Sequence, residues 1–280
     1  MPVNISASKR GMSLGKWMKV ASALLLGLVM ALAAQAQEYE PAAEGWMVGA
    51  VNSERAKAGL PALEVDPRLT EIARKHSVRM SQEGELSHQF NGEPVVRDRV
   101  SSTGLRFNFS GENVAYDSKV ESAFSGLMLS PKHHENIMKP EYNAISIGIV
   151  RKGTRYYVTQ DFARRLPDVS VNDAEQEIAN AFAKVRRAAG VKPLKRILRP
   201  ELRSAACEMA RTDSLSPELV PRVSGMQNVV VWTATELSDL PVNLKRLEAA
   251  PGSGYSLGAC LATSATYPNA VFWVALITYY

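Results

Sequence analysis

The chain has 280 residues, of which 46% are hydrophobic and 22% charged, and a formal net charge of +5. That apolar content is ample for a core, which excludes a natively disordered chain. Four of its basic residues lie in the first twenty positions with no acidic residue near them, so the positive balance makes no case for a nucleic-acid partner.

Lys9, Arg10, Lys16 and Lys19 precede the apolar run VASALLLGLVMALAA at 20–34, and Ala34-Gln35-Ala36 supplies a small-x-small pattern. This is the layout of a secretory signal peptide over 1–36, with cleavage expected after Ala36. The run is about 15 residues long, short of the roughly 20 that a spanning helix needs, so no stable membrane span is expected after cleavage. A secreted or periplasmic location follows. No cysteine lies near the cleavage point, which disfavours a lipid-anchored form. Loss of the segment removes four positive charges and no negative ones, so the formal charge falls from +5 to +1. About 244 residues remain, enough for one large or two small domains.

Residues 44–83 read as a helix of about four turns, a turn at Ala58-Gly59-Leu60, and a second helix starting at Pro67. Gly59 suits a helix C-cap, and Asp66-Pro67 supplies an N-cap and a pre-set first helical residue. Leu69, Ile72, Ala73 and His76 share one face of that second helix. The runs AISIGIV (144–150) and YYVTQDF (156–162) read as a strand pair joined through Lys152-Gly153.

The later part of the chain echoes this order. Gly190 and Leu194 stand where Gly59 and Leu63 do, 131 residues on. After a two-residue insertion, Pro67, Leu69, Ala73 and His76 align with Pro200, Leu202, Ala206 and Met209. The strand signals YSLGACL (255–261) and FWVALIT (272–278) close the second segment as the earlier pair closes the first. An internal duplication is the simplest reading, with units at 37–166 and 172–280 joined near Pro167. Helices followed by an antiparallel pair place each unit in the α+β class.

All four histidines, His76, His88, His133 and His134, fall in the first unit. Ser130-Pro131 starts a helix and sets His133 in its first turn, where the helix dipole favours the neutral ring. His134 is about 100° further round and is expected in solvent. His76 lines up with apolar helix positions and reads as a packed core residue. His88, just past the second helix, Glu112 in Gly111-Glu112-Asn113, and His133 lie on three separate loops or helix ends. Two imidazoles and a carboxylate suit a Zn2+ or another divalent cation, with water completing the shell. The same set suits acid–base work without metal, and three ordinary polar loop residues would look alike at this level. Gly254-Tyr255-Ser256-Leu257-Gly258 matches a nucleophile-elbow pattern, but no histidine follows it and the segment reads as a strand. Cys207 and Cys260 are the only cysteines; an exported chain can pair them or keep both as buried thiols.

The run VNSERAKAGLPALEVDPRLTEIARKHSVRM, then SHQF, GENVA, SPKHHENIM, ISIGIV and YYVTQDF, resembles the bacterial branch of the CAP superfamily (cysteine-rich secretory, antigen 5 and pathogenesis-related 1 proteins; the SCP domain) over about 44–163. For 172–280 the resemblance rests on the internal echo. It implies an α-β-α sandwich with a central antiparallel sheet between helical layers. It also implies a cleft in which His88, Glu112 of GEN and His133 meet, able in some members to bind a divalent metal. Asn52 and Arg55 look structural by the same resemblance. The chain departs from the family at Leu127, where many members carry tryptophan, and at His134, where arginine is common. The second acidic cleft residue has no clear counterpart, Glu121 being the nearest candidate.

Three functions follow. The first is an exported module whose cleft binds a divalent metal, a lipid or a small cell-envelope component. The second is a zinc-dependent peptidase or esterase using Glu112 as ligand or base. The third is a structural or protein-interaction module. Fold resemblance alone licenses no reaction.

Overall fold

The computed structural model describes residues 39–245, 247 and 251–280. The expected signal peptide and its cleavage point lie outside the described residues.

Helix α1 (Pro41–Lys57) ends where expected, with Gly59 at φ +72° turning the chain. Helix α2 (Pro67–Glu83) is capped by Asp66, whose carboxylate accepts from the Arg68 amide at 3.0 Å. After a loop come α3 (Val96–Ser102), strand β2 (Phe107–Asp117), α4 (Val120–Leu129) and α5 (Pro131–Met138). Strands β3 (Ala144–Lys152) and β4 (Arg155–Arg165) close this part. With the two-residue strand β1 (Glu64–Val65) they form a sheet of order β1-β3-β4-β2, antiparallel except for the parallel β1–β3 edge.

Period-2 alternation explains the layers. Ile145, Ile147 and Ile149 of β3 pack with Met47 and Val51 of α1, Val120, Ala123 and Leu127 of α4, and Ile137 of α5. The opposite face of the sheet meets α2 and α3, where Leu69, Ile72 and Val100 pack on Phe107, Ala144 and Ala163. The sheet is thus the middle layer of an α-β-α sandwich. Gly148 marks the closest approach of α2, since a Cβ there would lie 2.3 Å from the Ala73 carbonyl carbon.

The C-terminal half uses the same order of parts: α6 (Val171–Ala188), β5 (Lys195–Arg196), α7 (Pro200–Arg211), β6 (Met226–Ala234), α8 (Val242–Lys245), β7 (Gly254–Ala262) and β8 (Val271–Tyr279). Its sheet runs β5-β7-β8-β6, again with one short parallel edge. Helix α6 covers one face through Ile178 and Phe182, and α7 the other through Leu202, Ala206 and Met209. Ser256 sits buried within strand β7, and its hydroxyl donates to the Ile197 carbonyl at 2.7 Å. Cys207 and Cys260 are joined in a disulfide across α7 and β7, which selects the paired state from the two left open.

Two readings need correction. Glu112 is not at a loop or helix end: it lies in the middle of β2, because FNFSGENVAYD pairs with β4 along its length. The echo between α2 and α7 is also one helical turn out of register. Gly148 rests on Ala73 and Arg74, whereas its counterpart Gly258 rests on Leu202 and Arg203. Helix α7 therefore begins a turn later on its sheet, and the position matching His76 is Ala205, not Met209.

Residues 40–280 form one compact unit. Glu236 of the C-terminal half receives Arg164 Nη1 at 2.8 Å and Asn108 Nδ2 at 2.9 Å from the N-terminal half, and the Arg106 guanidinium stacks 4.8 Å from the Phe272 ring.

Candidate functional site

The sequence GEN on β2 builds the site one residue at a time. Gly111 leaves room for the next helix, as a Cβ there would sit 3.1 Å from Asn136 Oδ1 and closer still to the Tyr142 hydroxyl. Asn113, fully buried, donates from Nδ2 to the His133 carbonyl at 3.0 Å and to Gln160 Oε1 at 3.0 Å. Asn136 in turn donates to Asn113 Oδ1 at 2.9 Å and to the Glu112 carbonyl at 3.2 Å. These bonds pin the start of α5, and hence His133, against the strand that carries Glu112.

The Glu112 side chain is only 1% exposed, and both of its oxygens are engaged. Oε1 accepts from His88 Nδ1 at 2.9 Å, and Oε2 pairs with Arg99 Nη2. Arg99 also donates from Nη1 to the carbonyls of His88 and Pro94, each at 3.1 Å, and so staples the loop that presents His88. Glu93 holds the same loop from below, through His76 Nδ1 at 2.7 Å and the Phe90 amide at 3.1 Å. His76 is fully buried, as expected, yet it is a polar strut rather than a packing residue. Its Nε2 lies 2.8 Å from the Ser87 carbonyl and 3.8 Å from Glu112 Oε2.

Directly across the β-ladder from Glu112 stands Asp161, fully buried. Burial pushes its carboxyl well above the usual range, and the Glu112 charge adds to the shift, so Asp161 is held neutral. The two imidazoles differ in the opposite sense. The hydrogen bond that His88 donates to Glu112 raises His88 above its ordinary value. Burial first, and then the charge at His88, lowers His133.

The structure joins His88 to Glu112 directly, and ties the His133 backbone to Asn113, the residue after Glu112. His134 is exposed, as expected. Glu121 does not join this group: it lines a separate cavity of about 350 Å³ with Trp46, Lys119 and Tyr156. Asn52 bridges Leu63 through both its amide atoms, and Arg55, fully buried, donates to the carbonyls of Pro61, Ile137, Lys139 and Tyr142. Both are structural in these contacts. Sequence reading missed Arg99, Glu93 and Asp161. The signal for Asp161 was present, as the one acid within the strand run YYVTQDF.

Among the described residues no three His, Cys, Asp or Glu side chains are grouped so as to hold a metal ion. The donor set explains this. Glu112 spends both oxygens on His88 and Arg99, and the guanidinium opposes a second cation at that carboxylate. Glu112 stands behind His88 and engages its ring through Nδ1, which leaves Nε2 as the nitrogen able to donate to a ligand.

The C-terminal half shows what the same positions become without this chemistry. By register, Ile277 stands where Asp161 does and Val229 where Glu112 does, while Ala205 replaces His76. Ala205 and Ile277 are buried in one apolar cluster against which Val229 packs.

Among the described residues, no helix is long and apolar enough to cross a membrane. Residues 48–162 match the sequence model of the cysteine-rich secretory protein family, CAP. The chain is 33% identical over 117 residues to the Bacillus subtilis protein YkwD, covering 41% of this chain and 45% of that one. It is 28% identical over 130 residues to the B. subtilis membrane protein YlbC, covering 46% of this chain and 36% of that one. A crystal structure of an extracellular SCP-domain protein from Bacillus anthracis aligns at 25% identity and a TM-score of 0.42, covering 45% of this chain and 41% of that one. In each case the match spans less than half of the relative's own length.

Proposed function

Residues 48–162 are a CAP domain, and from that premise we propose that the chain is an exported protein whose His88–Glu112–His133 cleft binds a divalent metal ion such as zinc through the two imidazoles. The observation that carries this reading is the 2.9 Å bond from His88 Nδ1 to a buried Glu112. A carboxylate behind a histidine fixes the tautomer and turns the other ring nitrogen outward, which is the usual support of a metal-ligating imidazole. His133, kept neutral by its surroundings, supplies the second donor in the protonation state a metal needs. Export is supported by the leader pattern of 1–36. The common order of parts in the two halves supports an internal duplication in which one copy kept the polar cleft.

A hydrolase would need Glu112 free to take a proton from water. Its engagement with Arg99 and His88 leaves it an orienting group, so the binding role is preferred. Elemental analysis and zinc titration of the purified chain test the proposal. Near-stoichiometric zinc, lost in His88→Ala and in His133→Ala, is the expected result. Zinc retained in the double variant, or absent from the folded wild type under saturating metal, overturns it.

A further inference from the structure

The C-terminal half carries a second, different cleft. It is a cavity of about 420 Å³ lined by Asn172, Arg196, Leu198, Arg199, Arg203 and Leu257, among others, with the buried Glu175 at its base. Glu175 is over-subscribed. Its Oε1 accepts from Arg203 Nε at 3.0 Å and from the Ala259 amide at 3.1 Å, while Oε2 accepts from Arg196 Nη2 at 3.0 Å. One carboxylate thus faces two guanidinium groups. A third, Arg199, stands at the rim with its Nε 3.2 Å from the Tyr279 hydroxyl and its Nη1 3.3 Å from Glu201.

The N-terminal half shows that this surplus is not required by the fold. There Glu44 occupies the same place, accepting from the Ile149 amide at 3.1 Å and from Arg74 Nε at 2.9 Å. The strand position that matches Arg196 is Val65, since Val65 pairs with Ile145 as Arg196 pairs with Tyr255. The second arginine on the carboxylate is therefore an addition of the C-terminal half.

Three guanidiniums against Glu175 and Glu201 leave a net positive cleft. Two helix starts reinforce it: Asn172 in the first turn of α6 and Pro200 at the first position of α7 both line the cavity. Arg196 Nε is buried and has no hydrogen-bond acceptor among the described residues. A buried donor without an acceptor is costly unless something supplies one. Leu198, 80% exposed at the rim, and Leu257 within the cavity offer apolar contact beside the charge.

We propose that this cleft is an anion site for a phosphate monoester carried on a small or amphiphilic molecule. The fork geometry of arginine matches phosphate oxygens two at a time, and three such groups with two helix N-termini suit a dianion better than a lone carboxylate. The site is independent of the histidine cleft, which lies in the other half of the chain.

The test is calorimetric titration of the purified chain with inorganic phosphate and glycerol 3-phosphate, together with flotation on vesicles of phosphatidylcholine with and without phosphatidic acid. Binding that weakens about tenfold in Arg199→Gln and in Arg196→Val, and is unchanged in His88→Ala, is the expected result. Arg196→Val places here the residue that Val65 supplies at the matching position of the N-terminal half, and circular dichroism checks that the variant folds. Binding of the soluble ester identifies a free metabolite as the source, and binding only to phosphatidic acid vesicles identifies a lipid headgroup. No binding to any of these probes, or binding that both arginine variants retain in full, overturns the proposal.

Discussion

Glu112 and Asp161 face each other across the β2–β4 ladder, the first paired with Arg99, the second fully buried and held neutral. Burial is the main cause of the raised Asp161 value, and the neighbouring Glu112 charge adds to it. The neutral member carries a cost. An aspartyl group held above its unfolded value keeps its proton in the fold after the unfolded chain has lost it. Its contribution to stability therefore falls as pH rises from about 4 through the raised value.

The first prediction follows. Asp161→Asn removes that titration while keeping the shape of the side chain. Chemical denaturation at a series of pH values should show the wild type losing stability as pH climbs from the acid range, and the variant showing a flatter profile. At pH 7 the variant should be at least as stable as the wild type. A variant that keeps the wild-type slope would remove Asp161 as its source.

The second concerns metal uptake and pH. His88 binds its proton more tightly than an ordinary imidazole because of Glu112, while His133 is already disposed to be neutral. A metal arriving at His88 Nε2 must displace one proton. Zinc affinity should thus decline about tenfold per pH unit below the raised His88 value, with His133 adding little to the slope in that window. NMR titration of the two ring resonances gives the order, His133 titrating below His88. Removal of zinc with a chelator should leave the fold intact, because the loop of His88 is held by Arg99 and Glu93 in any case. His88 itself adds stability of the same pH sense as Asp161: present below the unfolded value near 6.5 and lost as pH rises through the folded one. Since its side chain is 60% exposed, solvent screens most of that effect.

Much of this was readable in the residues, and the limits were physical. Gly59, Asp66-Pro67 and Ser130-Pro131 announce helix ends because their backbone demands are local, and they fell where expected. Ser130 marks its helix without a side-chain cap bond, the proline alone setting the start. The placement of Glu112 was missed because SGENVA carries glycine and asparagine, which argue against a strand, while β4 supplies the pairing that overrides them. Arg99 was invisible for a different reason. It reaches Glu112 from a seven-residue helix, and no periodicity records a contact between elements. The one-turn slip between α2 and α7 arose because proline marks a helix start but not where that helix meets its sheet. The glycines that do mark it, Gly148 and Gly258, lie on the strands.

The third prediction tests Arg99. Its side chain is 7% exposed and that of Glu112 1%, so removing one partner strands a buried charge. Glu112→Ala should cost about 3–5 kcal/mol in denaturant unfolding. The double change Glu112→Leu with Arg99→Met should recover much of that loss, as no charge is left behind, while still abolishing the orientation of His88. If the double variant kept full zinc affinity, Glu112 would have no part in positioning that ring.

The last prediction uses the close approach of α2 to β3. At Gly148 a Cβ would fall 2.3 Å from one Ala73 backbone atom and 2.4 Å from the next, so strand and helix must separate to admit it. Gly148 also accepts the Ser77 hydroxyl at 2.7 Å, and Ser77 in turn touches Thr159 at 2.8 Å, so the displacement would break a buried polar chain as well as the packing. Gly148→Ala should destabilise by about 1–3 kcal/mol, the usual cost of overpacking, with more expected where the clash is with backbone. Gly258→Ala meets Leu202 and Arg203 at 2.3 Å in the same way, but there the disulfide between Cys207 and Cys260 ties α7 to β7. Under oxidising conditions that tie keeps the helix near the strand in the unfolded chain too, so the equilibrium cost should be similar while refolding stays efficient. Under reducing conditions Gly258→Ala should lose stability beyond the sum of the single effects, because separation of α7 is then unopposed. Measuring both variants with and without reductant decides whether the contact or the disulfide holds α7 in place: additive losses would assign the two roles to independent features.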